Sequence, residues 1–201
     1  MKYVVKTNGR TGSHIITEYF CKKGFVPFQD YGDYNYNSAV DGIDYNSAVN
    51  DLANNVVVHS HRIDWVPNDI ENFNLIISLR RNKLLQTLSA MVAMETGQNT
   101  NYPKKLESNS IHIDPDKFLG KLYSLNTGYN KLLGIVNKGW LSVRAIYYGD
   151  PLDINLDLPD ILDDYYVEKS NIDYKQVVSN YHELKLIYDG SNFEWKNYET
   201  S

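Results

Sequence analysis

Residues 2–20, KYVVKTNGRTGSHIITEYF, decide between two folds. Asn8-Gly9 is a strong hairpin signal because both residues tolerate positive φ, so the flanking apolar runs could be antiparallel strands. Alternatively, KYVVK is a buried strand, and the Gly-containing loop after it opens a helix. A loop of this second kind directs backbone N–H groups and the positive end of a helix dipole at an anion. This stretch alone leaves both interpretations open.

The rest of the chain favours the strand–loop–helix interpretation. Apolar runs at 55–60, 74–79 and 143–148 lack clean alternation, as strands covered on both faces do. Helical spacing occurs at 82–97, 114–139 and 171–188. Asp114 is the expected N-cap of the second helix, and Gly97 and Gly139 are expected to end the first and second. Strands that alternate with helices predict a three-layer α/β/α fold around a central, mainly parallel sheet.

Composition limits the class of protein. With 201 residues the chain is expected to form a single domain, residues 1–201. A net charge of −5 argues against binding a nucleic-acid polymer. No apolar run approaches the roughly 20 residues that span a membrane. The single cysteine, Cys21, excludes an internal disulfide and fits the cytoplasm. Oligomeric state cannot be read from these features.

A long polar segment, residues 28–55, contains YNSAV twice, nine residues apart. Its simplest interpretation is a small duplication in a surface loop. The functional alternative is a lid over an acceptor pocket, since loops of this length are often functional.

Cationic and imidazole groups follow three of the predicted strands. Arg10 comes after the first, His59 and His61 end the second, and Arg80 and Arg81 end the third. Ligands of open α/β sheets bind beyond the carboxyl ends of the strands. A hairpin does not explain this arrangement. The His-x-His pair could begin a metal site, but no further histidine has a recognisable ligand spacing, so no metal is expected.

In this order, the three stretches resemble the sulfotransferases that use 3′-phosphoadenosine 5′-phosphosulfate (PAPS), especially short bacterial and viral members. GRTGSH at 9–14 resembles their 5′-phosphosulfate loop, HSH at 59–61 the end of their catalytic strand, and RRNKLLQTLS at 80–89 their 3′-phosphate element. The resemblance implies a P-loop-like fold. It also implies a set of cofactor-binding residues: Arg10, Thr11, Gly12, Ser13, His14, Arg81 and Ser89. Lys169 and Ser170 are weak substitutes for the family's C-terminal nucleotide loop, which is not evident here.

The resemblance further implies in-line transfer of a sulfuryl group from PAPS to the hydroxyl or amine of a small-molecule or glycan acceptor, leaving the bisphosphate PAP. His61 is then the general base, and Arg10 and His59 assist at the phosphosulfate. Arg80 and Lys83 are expected to be solvated. One alternative is a P-loop kinase, although the Gly-Lys-Ser/Thr that such enzymes need is missing after Gly12. A non-catalytic nucleotide-binding module is the other alternative.

Overall fold

The computed structural model describes residues 1–9, 13–30, 55–60, 62–80, 82–97, 110–147 and 172–193. The chain divides into two compact units. The first consists of Met1–Leu79 with Gly128–Tyr166, and the second of Arg80–Thr127 with Val167–Ser201. A single sulfotransferase-like domain over residues 1–201 stays a prediction.

The first unit is built on a parallel sheet. Among the described residues the sheet has five strands, which are β1 (Lys2–Thr7), β2 (Val26–Asp30), β3 (Val56–Ser60), β4 (Phe73–Leu79) and β5 (Ser142–Tyr147). Their order is β2-β3-β1-β4-β5, and every pair is parallel. β1 is therefore central, and its residue Lys6 lies level with Ser60 of β3 and Ile77 of β4.

Helical segments cover both faces of this sheet. Helix α1 (Ser13–Lys22) packs on one face through a cluster that includes Ile16, Phe20, Val5 and Val57. On the opposite face a second cluster joins alternate strand residues to the later part of helix α3 (Pro115–Val136) and to Trp140. These layers confirm the predicted α/β/α arrangement.

The second unit is helical in its described part. It contains α2 (Lys83–Thr96), the first half of α3, α4 (Tyr174–Val177) and α5 (Tyr181–Gly190). These helices bury one apolar cluster, with Leu88, Phe118, Leu122 and Leu184 fully or almost fully enclosed. The apolar spacing in the sequence predicted helices α2 and α3, although it did not predict which residues of the two helices pack together.

The helix ends follow the predicted caps. Asp114 Oδ1 accepts a hydrogen bond from the backbone N–H of Lys117 at 2.9 Å, which lowers the pKa of the Asp114 carboxyl below its ordinary value. Gly97 ends α2 in the left-handed conformation, with φ of 65°. Gly139 also has a positive φ and follows α3 after a short turn.

Two predictions need correction. The helix expected over 171–188 is two helices, because Val178 leaves helical geometry and forms a parallel bridge with Ile111. The polar loop expected over 28–55 begins later, since residues 28–30 belong to β2. Residues 31–54, which include both YNSAV copies, lie outside the described residues, so their interpretation as a lid stays a prediction.

Candidate functional site

The loop after β1 belongs to a strand–loop–helix unit and not to a hairpin. β1 pairs only with parallel strands among the described residues, and α1 follows it at Ser13. At the start of the loop, Thr7 Oγ1 accepts a hydrogen bond from the Gly9 amide at 3.1 Å, and Gly9 has a φ of 74°. The interpretation of 2–20 as a strand that feeds a helix is therefore confirmed. Residues 10–12 of the loop lie outside the described residues.

The buried polar side chains of the first unit are concentrated at one end of the sheet. Among its described residues, they occupy the last two positions of β1 and β3, the next-to-last position of β4, and the first half of α1. They are Lys6, Thr7, His59, Ser60, Ser78, Ser13 and Thr17. The other buried side chains of these strands are apolar. Because polar groups are costly to bury, their concentration at the carboxyl ends marks this end as the candidate site.

One part of this polar set lies on the face that α1 covers. Val5, Val57 and Ile76 belong to the cluster beneath α1, and strand side chains alternate between faces, so Thr7, His59 and Ser78 lie on the same face. His59 is only 1% exposed. His59 is thus enclosed on the face of the sheet that α1 covers.

Ser13 and Thr17 form the polar side of α1 above this face. Ser13 is 5% exposed, and its carbonyl accepts a hydrogen bond from Thr17 Oγ1 at 3.1 Å. This hydrogen bond joins the Thr17 hydroxyl to the backbone of α1, and the first turn remains helical. Ser13 is thus held at the N-terminal end of α1, where backbone N–H groups lack partners within the helix. His14 follows it in α1.

Lys6 forms a buried cationic group that the sequence reasoning missed. It lies on the other face of the sheet, with Val4, and is fully buried. Its Nζ donates to Ser60 Oγ at 3.1 Å and to the backbone carbonyl of Arg62, and it lies 4.7 Å from the centre of the Trp65 ring. The available signal was a lysine directly after the apolar residues YVV at 3–5.

The start of the loop also contacts α3. Gly128 is buried, and a Cβ atom at this position would overlap the side-chain amide of Asn8. Glycine at 128 therefore leaves the space that Asn8 occupies. Both residues belong to the first unit.

In the second unit, Ser89 is the one predicted site residue among the described residues. It lies in α2 and is 7% exposed, with Gln86 and Thr87 also buried. Lys83, expected to be solvated, is also buried, because its Nζ donates to the backbone carbonyl of Arg80 and to Gln86 Oε1. That expectation was wrong.

Several predicted site residues lie outside the described residues, and their roles stay predictions. They are Arg10, Thr11, Gly12, His61, Arg81, Lys169 and Ser170. The side chain of His14 is likewise not described. Within the described ranges, no three His, Cys, Asp or Glu side chains come together as a metal ion would need. In the same ranges no helix has the length and apolar character of a membrane span.

Comparison with known proteins adds no family assignment. No family model matches the chain, and no curated protein and no solved structure matches it significantly. The fold and the site alone therefore define the class of protein. It is a parallel α/β unit with buried polar side chains at the carboxyl ends of β1, β3 and β4.

Proposed function

We propose that this chain is a sulfotransferase that moves a sulfuryl group from PAPS to an acceptor hydroxyl or amine. The observation that carries the proposal is the buried polar set at the carboxyl ends of the central strands, one part of which lies beneath α1, the helix that begins after the β1 loop. Anions bind at such helix N-termini because unpaired N–H groups and the helix dipole both favour negative charge.

The proposed roles follow from chemistry. In sulfuryl transfer the leaving group is a phosphate, so the protein must align donor and acceptor and stabilise charge on the leaving oxygen. Arg10, Gly12 and Ser13 supply cationic and N–H donors to the phosphosulfate. His59, which is buried on the α1 face, assists in binding the phosphosulfate. His61 accepts the proton of the acceptor as it attacks.

The 3′-phosphate of the donor is assigned to the segment that begins α2. Arg81 can bind a phosphate through two parallel N–H···O bonds, which a lysine cannot do. Ser89 supplies a hydroxyl donor. In this role Ser89 explains why a polar side chain is buried in α2.

The experiment that tests the proposal is calorimetric titration with PAP and with adenosine 5′-monophosphate. PAP should bind more tightly, and Arg81→Ala should abolish that preference at a cost of about 2–3 kcal/mol, the range for charge-assisted hydrogen bonds. The matched control is Arg144→Ala, which removes an exposed arginine from β5 and should leave both affinities unchanged. Equal binding of the two nucleotides by the unmodified protein would refute the assignment of Arg81 and Ser89.

A chelator separates this proposal from the kinase alternative. Transfer from PAPS to a panel of phenols, alcohols, sugars and peptides should continue in EDTA, since no step needs a metal. Loss of turnover in EDTA that Mg²⁺ restores, together with binding of ATP, would favour a kinase. Binding of PAP without transfer to any acceptor would favour a non-catalytic nucleotide-binding module.

A further inference from the structure

Lys6 contacts both sequence neighbours of His61. Its Nζ donates to the side chain of Ser60 and to the backbone carbonyl of Arg62. Ser60 Oγ also donates to the Arg62 carbonyl, at 3.4 Å, so the three groups form a closed set of hydrogen bonds. The ring of Trp65 lies against the same ammonium group. One cation on β1 thus holds the chain on either side of the residue proposed as the general base.

Stability alone gives no reason for a lysine at this position. Burying an ammonium group is costly even when it is well paired, and apolar replacements of buried charged groups are often neutral or stabilising. Lys6 shares its face of the sheet with Val4 and Ser60, and the remaining buried strand residues on that face are apolar. Unlike an apolar residue, Lys6 donates hydrogen bonds to both the backbone carbonyl of Arg62 and the hydroxyl of Ser60, and so holds these two groups together.

We propose that Lys6 is a positioning residue: it anchors the exit of β3 through Ser60 and Arg62, and the rate of the transfer proposed for His61 depends on this anchor. The inference rests on the proposed function for the role of His61. The anchoring of Ser60 and Arg62 is independent of it. Residues that position a reacting group act on the rate of the chemical step, because small misplacements are costly there.

The test uses the full chain with Lys6→Met, which keeps the length of the side chain and removes its donors. Lys2→Met is the matched control, since Lys2 lies on the same strand but pairs with Asp69 near the surface. We expect Lys6→Met to increase amide hydrogen exchange at residues 60–64 at least about tenfold, since the hydrogen bonds that hold this segment are lost. It should also lower kcat for transfer from PAPS by about 10²-fold while KM for PAPS stays within about twofold. Lys2→Met should change none of these.

Each outcome decides a separate part of the inference. Unchanged exchange at residues 60–64 in Lys6→Met would refute the anchor. If amide exchange is faster in Lys6→Met but its kcat equals that of Lys2→Met, the positioning role is refuted, since a purely structural lysine would alter stability alone. Absence of transfer and of PAP binding in the unmodified protein would refute the proposed function, while the exchange measurement would still decide on the anchor.

A second variant covers the case in which Lys6→Met does not fold. Ser60→Ala removes one partner of Lys6 and leaves the ammonium group bonded to the Arg62 carbonyl. We expect the same effects at smaller size, with exchange changed about threefold and kcat about tenfold, because Lys6 keeps one of its two hydrogen bonds. Wild-type exchange and kcat in Ser60→Ala would overturn the proposal.

Discussion

Replacing Gly128 by alanine tests whether the start of the β1 loop depends on its contact with α3. The added Cβ would overlap Asn8 Oδ1 and lie 2.7 Å from Asn8 Cγ and 3.0 Å from Nδ2. Real Cβ atoms are essentially never found closer than 3.0 Å to another heavy atom, so the amide must move. We expect the loop beside Gly9 to hold this side chain in place, so that rotation of the Asn8 amide alone does not relieve the overlap.

The magnitude follows from two opposing effects. Overpacking of a well-packed site costs about 1–3 kcal/mol. Exchange of glycine for alanine inside a helix gains about 0.5–1 kcal/mol. Gly128→Ala should therefore lower the free energy of unfolding by up to about 2.5 kcal/mol, and it should weaken PAP binding because the loop is displaced. Gly134→Ala, in the same helix, has nothing within 4 Å of the new Cβ. It should therefore gain the stability of the glycine-to-alanine exchange, about 0.5–1 kcal/mol, without any cost of overpacking.

Urea unfolding of the two variants, with PAP titration of each, measures the difference. The double variant Asn8→Ala/Gly128→Ala removes the overlapping amide and should recover most of the lost stability. If Gly128→Ala proves as stable as Gly134→Ala, or if the double variant recovers nothing, the contact between Asn8 and Gly128 does not control this loop.

Three further predictions concern separate parts of the chain. His61→Ala should lower kcat roughly 10²–10⁴-fold at nearly unchanged PAP affinity, whereas His59→Ala should weaken PAP binding as well; the opposite pattern would exchange their roles. The depressed pKa of Asp114 stabilises the fold above its ordinary pKa of 3.8, and this contribution is lost as pH falls through the lower folded value. Melting temperatures of the unmodified protein and of Asp114→Asn should therefore converge as the pH is lowered below 3.8, and a constant difference would contradict this. Trp140→Phe removes a 2.7 Å hydrogen bond from Nε1 to the Ile135 carbonyl and should cost about 1 kcal/mol in urea unfolding, where an unchanged midpoint would count against it.

The strands of the first unit could be predicted where local composition decides them. β1, β3, β4 and β5 are short apolar runs bounded by polar residues, and each was found within one residue of its expected bounds. β2 was missed because Val26–Asp30 contains Pro27 and ends in the polar residues Gln29 and Asp30, unlike a buried strand. Proline is tolerated there because β2 lies at the edge of the sheet, and that position depends on pairing with β3 rather than on its own sequence.

The candidate site could be predicted only in part, for a similar reason. The order of the motifs indicated the strand–loop–helix unit, and the end of β3 indicated that His59 lies deep. The burial of Lys6 and Ser78 could not be inferred, since a polar residue at a strand end is equally compatible with solvent. What encloses Lys6 is Trp65, a residue 59 positions later in the chain, and such contacts leave no local pattern.

The central position of β1 has a consequence for how the protein folds. Its partners on the two sides begin 54 and 71 residues later, at Val56 and Phe73. During synthesis β1 is therefore made long before β3 and β4, and its apolar residues cannot pair in the sheet until those strands exist. Parallel pairing across such separations forms slowly, because the chain loses the entropy of closing a long loop before the contacts between the strands stabilise it. Until β3 and β4 have been made, the unpaired β1 segment is therefore a point at which the folding chain can aggregate.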